Sequence, residues 1–160
     1  MADEKEIRQA KTAYDTLCEM LKEREWHYES DEDNFTIMCG ARGEDLPMEI
    51  RVQVDPERLI VTLLSQMPFS VPEDKRVEMA LAVSAVNYAL VDGSFDYNFV
   101  DGTLLFRMTS SYRESLVGKD MFEYMLYVSC KTIDDYNDKF LMIIKEKMTL
   151  EDLVKFIAED

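Results

Sequence analysis

The chain has 160 residues, of which 47% are hydrophobic and 32% are charged, and this length suits a single domain with a buried core. Eighteen basic against 33 acidic residues give a formal net charge of −15, which argues against nucleic acid and membranes as partners because both surfaces are anionic. No apolar run approaches the length of a membrane span and the N-terminus lacks a secretory signal pattern, so we expect a soluble, cytoplasmic protein.

The N-terminal segment predicts an amphipathic helix over residues 4–24, because its apolar residues recur at steps of three and four. Residues 26–65 then predict a run of strands. The clearest of these has a two-residue period in which apolar and polar residues alternate from Met48 to Val54. Leu59 to Leu64 is apolar on both faces except at Thr62, which predicts an interior strand covered on each side.

A central helix is predicted over residues 73–91, where a proline and acidic residues favour a helix start. One apolar stripe contains Val77, Leu81, Ser84 and Tyr88, and a second contains Met79, Val83, Val86 and Leu90. A helix that is apolar nearly all round is buried on all sides, and we expect a second copy of the chain to supply part of that cover. The predicted contact surface is Met79, Val83, Val86 and Leu90 together with Met67 and Phe69.

The stretch DGSFDYNFVDGTLLFR predicts a β-hairpin over residues 94–109. Asp101-Gly102 is predicted as a two-residue turn, since this dipeptide tolerates the positive φ angles that such turns require. Counting outward from that turn places Phe95 opposite Met108 and Asp96 opposite Arg107. Opposed charges stabilise a sheet, so Asp96 and Arg107 are predicted to form a structural ion pair.

The aspartates of this stretch are also candidates for a metal site, but a hairpin would separate Asp92, Asp96 and Asp101. Gly93 is predicted to take a left-handed conformation after the central helix. The acidic segment 31–34 begins like a calcium-binding loop but lacks the later ligands and the turn glycine, which favours a solvated turn. We therefore expect no metal.

The C-terminal third predicts a long amphipathic helix over residues 119–147 and a short helix over residues 150–158, the latter started by a capping sequence at Thr149–Asp152. Strands that are grouped rather than alternating with helices favour an α+β fold. We predict an antiparallel sheet of two strand groups, packed with an N-terminal helix, a central helix and a long C-terminal helix.

No motif marks a catalytic or cofactor site: the sequence contains no P-loop, GxGxxG, HExxH or GxSxG pattern. The only histidine, His27, lies beside Trp26 in a predicted strand and is interpreted as a surface or packing residue. Cys18, Cys39 and Cys130 lie in apolar segments without CxxC spacing, which indicates buried reduced thiols. We expect no catalytic residue and no cofactor.

The order LPMEIRVQVDPERLIVTLLSQMPFSVPEDKRVEMALAVSAVNYALVDGSFDYNFVDGTLLFR resembles the YbjN-like proteins, described as putative bacterial sensory transduction regulators. More distantly it resembles the type III secretion chaperone fold. Asn87 lies where that pattern has its helix-end asparagine, Gly93 where it has a glycine, and Asp101-Gly102 at the hairpin turn. The resemblance, which runs from about Trp26 to Ile144, implies an α+β domain that often dimerises and has no established catalytic residues. We assign residues 1–160 to one such domain.

Two functions remain open. The leading hypothesis is a non-enzymatic regulatory or chaperone-like module that forms a homodimer and binds a protein partner of unknown identity. The alternative is a small-ligand sensor or an unrecognised enzyme, with a pocket between the sheet and the long helix that Tyr97, Arg107 and Tyr112 would line.

Overall fold

The computed structural model describes residues 1–159, which form one six-stranded antiparallel sheet and four α-helices. The helices are α1 (Glu4–Glu23), α2 (Arg76–Ala89), α3 (Lys119–Ile144) and α4 (Leu150–Glu159), and a short 3-10 helix, Glu73–Lys75, precedes α2. The strands are β1 (Tyr28–Asp31), β2 (Thr36–Arg42), β3 (Pro47–Asp55), β4 (Ile60–Ser70), β5 (Ser94–Tyr97) and β6 (Thr103–Ser111). Asp160, the last residue of the predicted domain, lies outside the described residues. This architecture confirms the predicted α+β class.

The sheet has the strand order β1-β2-β3-β4-β6-β5, and each neighbouring pair is antiparallel. Alternation along β3 sets its inner face, because Met48, Ile50, Val52 and Val54 are buried whereas Glu49 and its alternating neighbours are not. Cross-strand pairing extends that face in both directions along the sheet, through Cys39 on β2, Leu63 on β4 and Met108 on β6.

All four helices lie on the inner side of the sheet. Helix α1 packs against α3 and β3, α3 packs against β4 and β6, and α2 packs against β5, α3 and α4. A capping box starts α1, in which the Glu6 amide donates to Asp3 and the Asp3 amide donates to Glu6. The predicted capping sequence before α4 is confirmed, since the Asp152 amide donates to the Thr149 hydroxyl and the Thr149 amide donates to Asp152. Within residues 1–159, no helix combines the length and apolar content needed to cross a membrane.

The outer side of the sheet carries no helix, which corrects the prediction that β4 is covered on both faces. Val61 and Leu63 are buried on the inner side, whereas Leu64 on the outer side is only half-buried and Gln66 is exposed. The strand also continues to Ser70, five residues beyond the predicted limit at residue 65. One layer of helices is therefore enough to bury one side of the sheet, and the second apolar face of β4 is left without a covering layer.

The β5–β6 hairpin differs from the predicted register by two residues. Phe95 pairs with Phe106 rather than Met108, and the Asn98 amide donates to the Thr103 carbonyl at 2.8 Å, so residues 99–102 form a four-residue loop. Side chains explain the larger loop, because Asp101 accepts from the Thr103 amide at 2.8 Å and from the Asn98 amide group at 2.9 Å. A shift of two residues leaves each side chain that stays paired on its predicted face of the sheet, whereas Phe99 and Val100 leave the strand.

Candidate interaction surface

The six residues predicted as a contact surface pack into the core of their own chain. Met67, Met79, Val83 and Val86 are buried, and Phe69 and Leu90 are half-buried against the core. A side chain that is buried within its own chain is not available to a second copy. The predicted stripe of α2 is therefore core and not free surface, because the helix turns it towards β5, α3 and α4.

The other stripe of α2 faces outward. Val77 is 64% exposed, Leu81 is 55% exposed and Tyr88 is 95% exposed, with the small exposed side chain of Ser84 between them. These four residues follow one another at steps of four, three and four, which keeps them in a single row along the helix. We call this row the outer stripe of α2.

Except for Val77, which lies between Arg76 and Glu78, the outer stripe lies within a segment that has no charge. From Met79 to Val91 the sequence contains no Asp, Glu, Lys or Arg, although such residues make up 32% of the chain. Val91, two residues after the end of the helix, extends the exposed apolar surface. Exposed apolar patches with polar surroundings are typical of contact surfaces, so the outer stripe is the candidate interaction surface of this protein.

The hairpin loop extends the apolar surface near the start of α2. Phe99 and Val100 are exposed at the loop tip. Arg76, the first residue of α2, donates through Nη1 to the Val100 carbonyl at 2.5 Å, and the Tyr97 hydroxyl donates to the Arg76 carbonyl at 3.3 Å. The loop is thus fixed to the helix. The sequence interpretation placed Phe99 and Val100 in a paired strand. Their position directly before Asp101-Gly102 was the signal of a longer loop, and the interpretation missed it.

The far end of α2 is held to the sheet by one asparagine. Asn87 donates through Nδ2 to the Phe95 carbonyl and accepts from the Phe95 amide through Oδ1, both at 2.8 Å. Gly93, with a φ of +73°, then turns the chain into β5, and a Cβ atom there would lie 2.4 Å from the Phe106 ring. Asp92 accepts a hydrogen bond from Tyr124 of α3. Helix α2 therefore presents its outer stripe from a rigid position.

The three aspartates of the hairpin segment each have a different partner. Asp92 binds Tyr124, Asp96 forms an ion pair with Arg107, and the Asp101 carboxylate accepts from loop groups that include the Thr103 amide. Hydrogen bonds from Thr103 lower the pKa of Asp101 below its ordinary value. Among residues 1–159, no three His, Cys, Asp or Glu side chains form a group that could hold a metal ion.

The Asp31 carboxylate of the acidic turn and the three cysteine thiols each have a pKa that their surroundings shift. Asp31 accepts from the Asn34 amide group at 2.8 Å, and this contact lowers the pKa of Asp31. Burial raises the pKa of Cys39 to about 12 and that of Cys130 to about 11, and burial also raises the pKa of Cys18. Thiols with raised pKa values are protonated at neutral pH and are poor nucleophiles. His27 is exposed.

The three residues proposed to line a ligand pocket do not lie together. Tyr112 is buried, and its hydroxyl donates to the Asp55 carbonyl at 2.8 Å. Arg107 lies on the outer side of the sheet, and a depression of about 470 Å³ beside the hairpin loop includes Arg107 and Tyr97 in its lining. This depression is on the side opposite to α3, so these residues do not form a pocket between the sheet and the long helix.

A different cleft, of about 1050 Å³, does lie between the sheet and α3. Its lining includes Trp26, Arg42, Tyr127 and Cys130. Most carboxylates of the cleft are already bound: Glu123 pairs with Arg24 at 2.9 Å, Asp135 pairs with Lys131 at 2.6 Å, and Asp134 accepts from the Glu44 amide at 3.0 Å; Glu25 is the exception. Asp134 approaches the backbone so closely that a Cβ atom at Gly43 would lie 1.8 Å from its Oδ1.

Comparison with known proteins places the chain within a family. A family model described as "YbjN: Putative bacterial sensory transduction regulator" matches residues 13–142. No curated protein sequence gives a significant match. The fold is similar to the crystal structure of YbjN, a putative transcription regulator from E. coli, at 15% identity and a TM-score of 0.55, over 82% of this chain and 88% of that chain.

A second solved structure with a similar fold is the HopA1-SchA chaperone-effector complex. The similarity covers 78% of this chain and 91% of the matching chain, at 10% identity and a TM-score of 0.52. At these identities the two structures show the fold alone. The predicted resemblance to the YbjN family and, more distantly, to a secretion chaperone is confirmed.

Proposed function

The chain belongs to the YbjN family, and from this premise we propose that it is a non-enzymatic protein-interaction module that forms a homodimer through the outer stripe of α2. The stripe itself carries the proposal, because it exposes Val77, Leu81 and Tyr88 in one row, of which Leu81 and Tyr88 lie in a segment without charge. The proposal places the protein in the cytoplasm, where its three free cysteines would stay reduced.

Electrostatics favours a second copy as the occupant of the stripe. Two chains that each carry a net charge of −15 repel one another, and the repulsion is smallest where neither surface presents a carboxylate. A twofold-symmetric contact brings the same patch of both copies together, so that patch must be compatible with itself. The outer stripe meets this condition because an apolar, uncharged row can face its own copy without opposing like charges.

The name of one similar structure supports a role in binding other proteins, and the name of the other supports a regulatory role. The HopA1-SchA structure is a complex between a chaperone and an effector, and the YbjN structure is described as "a putative transcription regulator". Neither description is that of an enzyme. For this chain the proposal adopts only the general role that one name or the other gives, a regulatory or chaperone-like function.

Sedimentation velocity tests the dimer directly. We expect the wild type to sediment as a dimer and Val77→Glu to shift it to monomer, since the variant places a carboxylate against its own copy. Val154→Glu is the matched control, because it makes the same chemical change at a residue that is 49% exposed on α4, outside the stripe. A wild-type chain that stays monomeric at high concentration, or equal dissociation in both variants, would contradict the proposed contact.

The cleft between the sheet and α3 supports a second candidate function, that of a small-ligand sensor. Its volume and the aromatic lining by Trp26 and Tyr127 are the observations that favour it. Trp26 is the only tryptophan of the chain, so its fluorescence reports on this cleft alone. A ligand of this kind would change the fluorescence of the wild type and bind more weakly to Tyr127→Ala, with the dimer unaffected.

A further inference from the structure

The outer side of the sheet carries an apolar strip that no helix covers. Met38 on β2, Leu64 on β4 and Leu105 on β6 are half-buried there. A groove of about 630 Å³ crosses the strip and includes all three in its lining. A second depression, of about 1000 Å³, shares Met38 with that groove and continues it to Gly40. We call the two depressions together the sheet groove.

Gly40 leaves a gap in the surface of the sheet groove. It is exposed on β2, two positions after Met38 on the same side of the sheet, and Glu49 is its partner on β3. A Cβ atom at Gly40 would meet only the Met48 carbonyl oxygen, at 3.7 Å, and no side chain of residues 1–159 within 4 Å. The gap therefore has room for a side chain from another molecule.

Carboxylates outnumber cations along the sheet groove. Its lining contains Glu29, Asp31 and Glu49, and Arg51 is the one Lys or Arg among these lining residues. Glu29 lies opposite Met38 on β1, whereas Glu49 lies on β3 beside the gap, so their carboxylates lie on either side of β2. Neither makes an ion pair or a side-chain hydrogen bond with any of residues 1–159. Both are therefore available to a cation from another molecule.

The charge of the sheet groove distinguishes between its possible occupants. A second copy of the chain would bring the same carboxylates against each other, and nucleic acid or an anionic membrane would bring phosphates, so like charge opposes all three. A basic segment of another protein meets opposite charge in the groove and from the chain as a whole, whose net charge is −15. Complementary potentials of this kind select partners and accelerate their association.

We propose that the sheet groove binds a basic, amphipathic segment of a partner protein. An apolar side chain of the segment would cover Met38 and Leu64. A lysine or arginine beside it would occupy the gap at Gly40, where the carboxylates of Glu29 and Glu49 can reach its cation. Lysine and arginine suit this position because their aliphatic stems pack on apolar surface while the charged group stays in water.

This inference rests on the proposed function, in that it treats the protein as an interaction module. It concerns the side of the sheet opposite to α2, so the two proposals fail separately. Peptide binding by the Val77→Glu variant distinguishes them, because that variant changes the outer stripe of α2 and leaves the sheet groove intact. We expect Val77→Glu to bind the peptide described below as the wild type does.

Fluorescence anisotropy with a short fluorescein-labelled peptide of alternating lysine and leucine tests the proposal. The measurement is made at about 0.15 M salt, where attraction from distant carboxylates is largely screened. We expect the wild type to bind the peptide and Glu29→Gln combined with Glu49→Gln to weaken binding about tenfold, since each exposed ion pair contributes a factor of up to about five. Glu4→Gln combined with Glu114→Gln makes the same charge change at exposed glutamates outside the groove and should weaken binding less than about twofold.

Arg51 provides a test of sign. It lies opposite Met38 on β3, within the sheet groove. A basic ligand is repelled by this guanidinium, whereas an acidic ligand would depend on it. Arg51→Gln should therefore tighten binding of the lysine-leucine peptide by up to about fivefold. Weaker binding in this variant would overturn the proposal.

A lysine placed in the groove itself should exclude the peptide. Met38→Lys puts an ammonium group next to the site assigned to the ligand's cation, and like charges across a contact are strongly unfavourable. We expect it to weaken binding at least about tenfold. Met121→Lys is the matched control, because it makes the same change at a residue that is 43% exposed on α3, and it should bind as the wild type does.

Several results would contradict the assigned groove or its occupant. No binding by the wild type, or equal weakening by the two pairs of glutamine substitutions, would exclude the groove. Equal binding of a lysine-serine peptide would show that charge alone is recognised, and tighter binding of a glutamate-leucine peptide would reverse the assigned charge. Amide chemical shifts in β2, β3 and β4 should move on peptide addition, and changes confined to the helices would place the peptide elsewhere.

Discussion

The inner and outer stripes of α2 are similarly apolar in sequence and opposite in burial. Val83 on the inner stripe is 5% exposed, whereas Leu81, two residues earlier, is 55% exposed. In α1, by contrast, the apolar residues are mostly buried and the opposite side is charged. The comparison teaches that an apolar stripe identifies a core position only when the other side of the helix is polar. A helix with two apolar stripes buries one against its own chain and leaves the other exposed.

The largest effect is expected from placing a carboxylate on each stripe in turn. Val83→Glu should lower the free energy of unfolding by more than about 3 kcal/mol, because it buries an unpaired charge. Leu81→Glu should lower it by no more than about 1 kcal/mol in the monomer, because the new side chain remains in water. Urea denaturation at low protein concentration measures both. Similar losses in the two variants would remove the distinction between the stripes.

A smaller effect is expected in the loop that extends the outer surface. Gly102 has a φ of +79°, and a Cβ atom there would lie 2.2 Å from the Val71 carbonyl oxygen. We expect Gly102→Ala to cost about 1–3 kcal/mol, the usual range for strained backbone. Gly40→Ala is the control, since its Cβ atom would make only an ordinary contact at 3.7 Å with the Met48 carbonyl oxygen. If both variants unfold at the same denaturant concentration, the loop is not held as described.

The smallest effect concerns α4, which packs behind α2. Hydrogen bonds from the amide and hydroxyl of Thr149 lower the pKa of Asp152 below its ordinary value of 3.8. A carboxyl with a lowered folded-state pKa contributes stability that is complete above its unfolded pKa and is lost as the pH falls through the folded pKa. Asp152→Ala should therefore be less stable than wild type at neutral pH, and the difference should shrink as the pH falls below 3.8 and through the lowered pKa of Asp152. Thermal midpoints across this range measure it, and a constant difference would contradict the assignment.

The helices and the strand alternation could be predicted because their signals are local. The period of β3 is set by one buried and one solvated face, and the capping residues of α1 and α4 lie three positions from their partners. The family resemblance could be recognised for a related reason, since it depends on the order of such elements.

What could not be predicted depended on contacts between distant parts of the chain. Periodicity identified both stripes of α2, but the choice between them was made by packing against β5 and α4. The hairpin register depended on Asn98 and Asp101, whose side chains hydrogen-bond within the loop and make it longer than the dipeptide rule allows. The open outer side of the sheet followed from helix placement, which the apolar run at Leu64 did not reveal.

The two hydrogen bonds of Asn87 bear on whether folded chains can pair through the edges of their sheets at high concentration. The amide and carbonyl of Phe95 point away from β6, towards the open side of the terminal strand β5, where they would otherwise accept a strand from another molecule. Asn87 occupies both groups at once and so blocks pairing of another strand at Phe95. At the opposite edge of the sheet, β1 carries Glu29 and Asp31, whose like charges would oppose pairing between the β1 strands of two molecules. The Asn87 side chain and the two carboxylates of β1 thus oppose extension of the sheet by strands of other molecules.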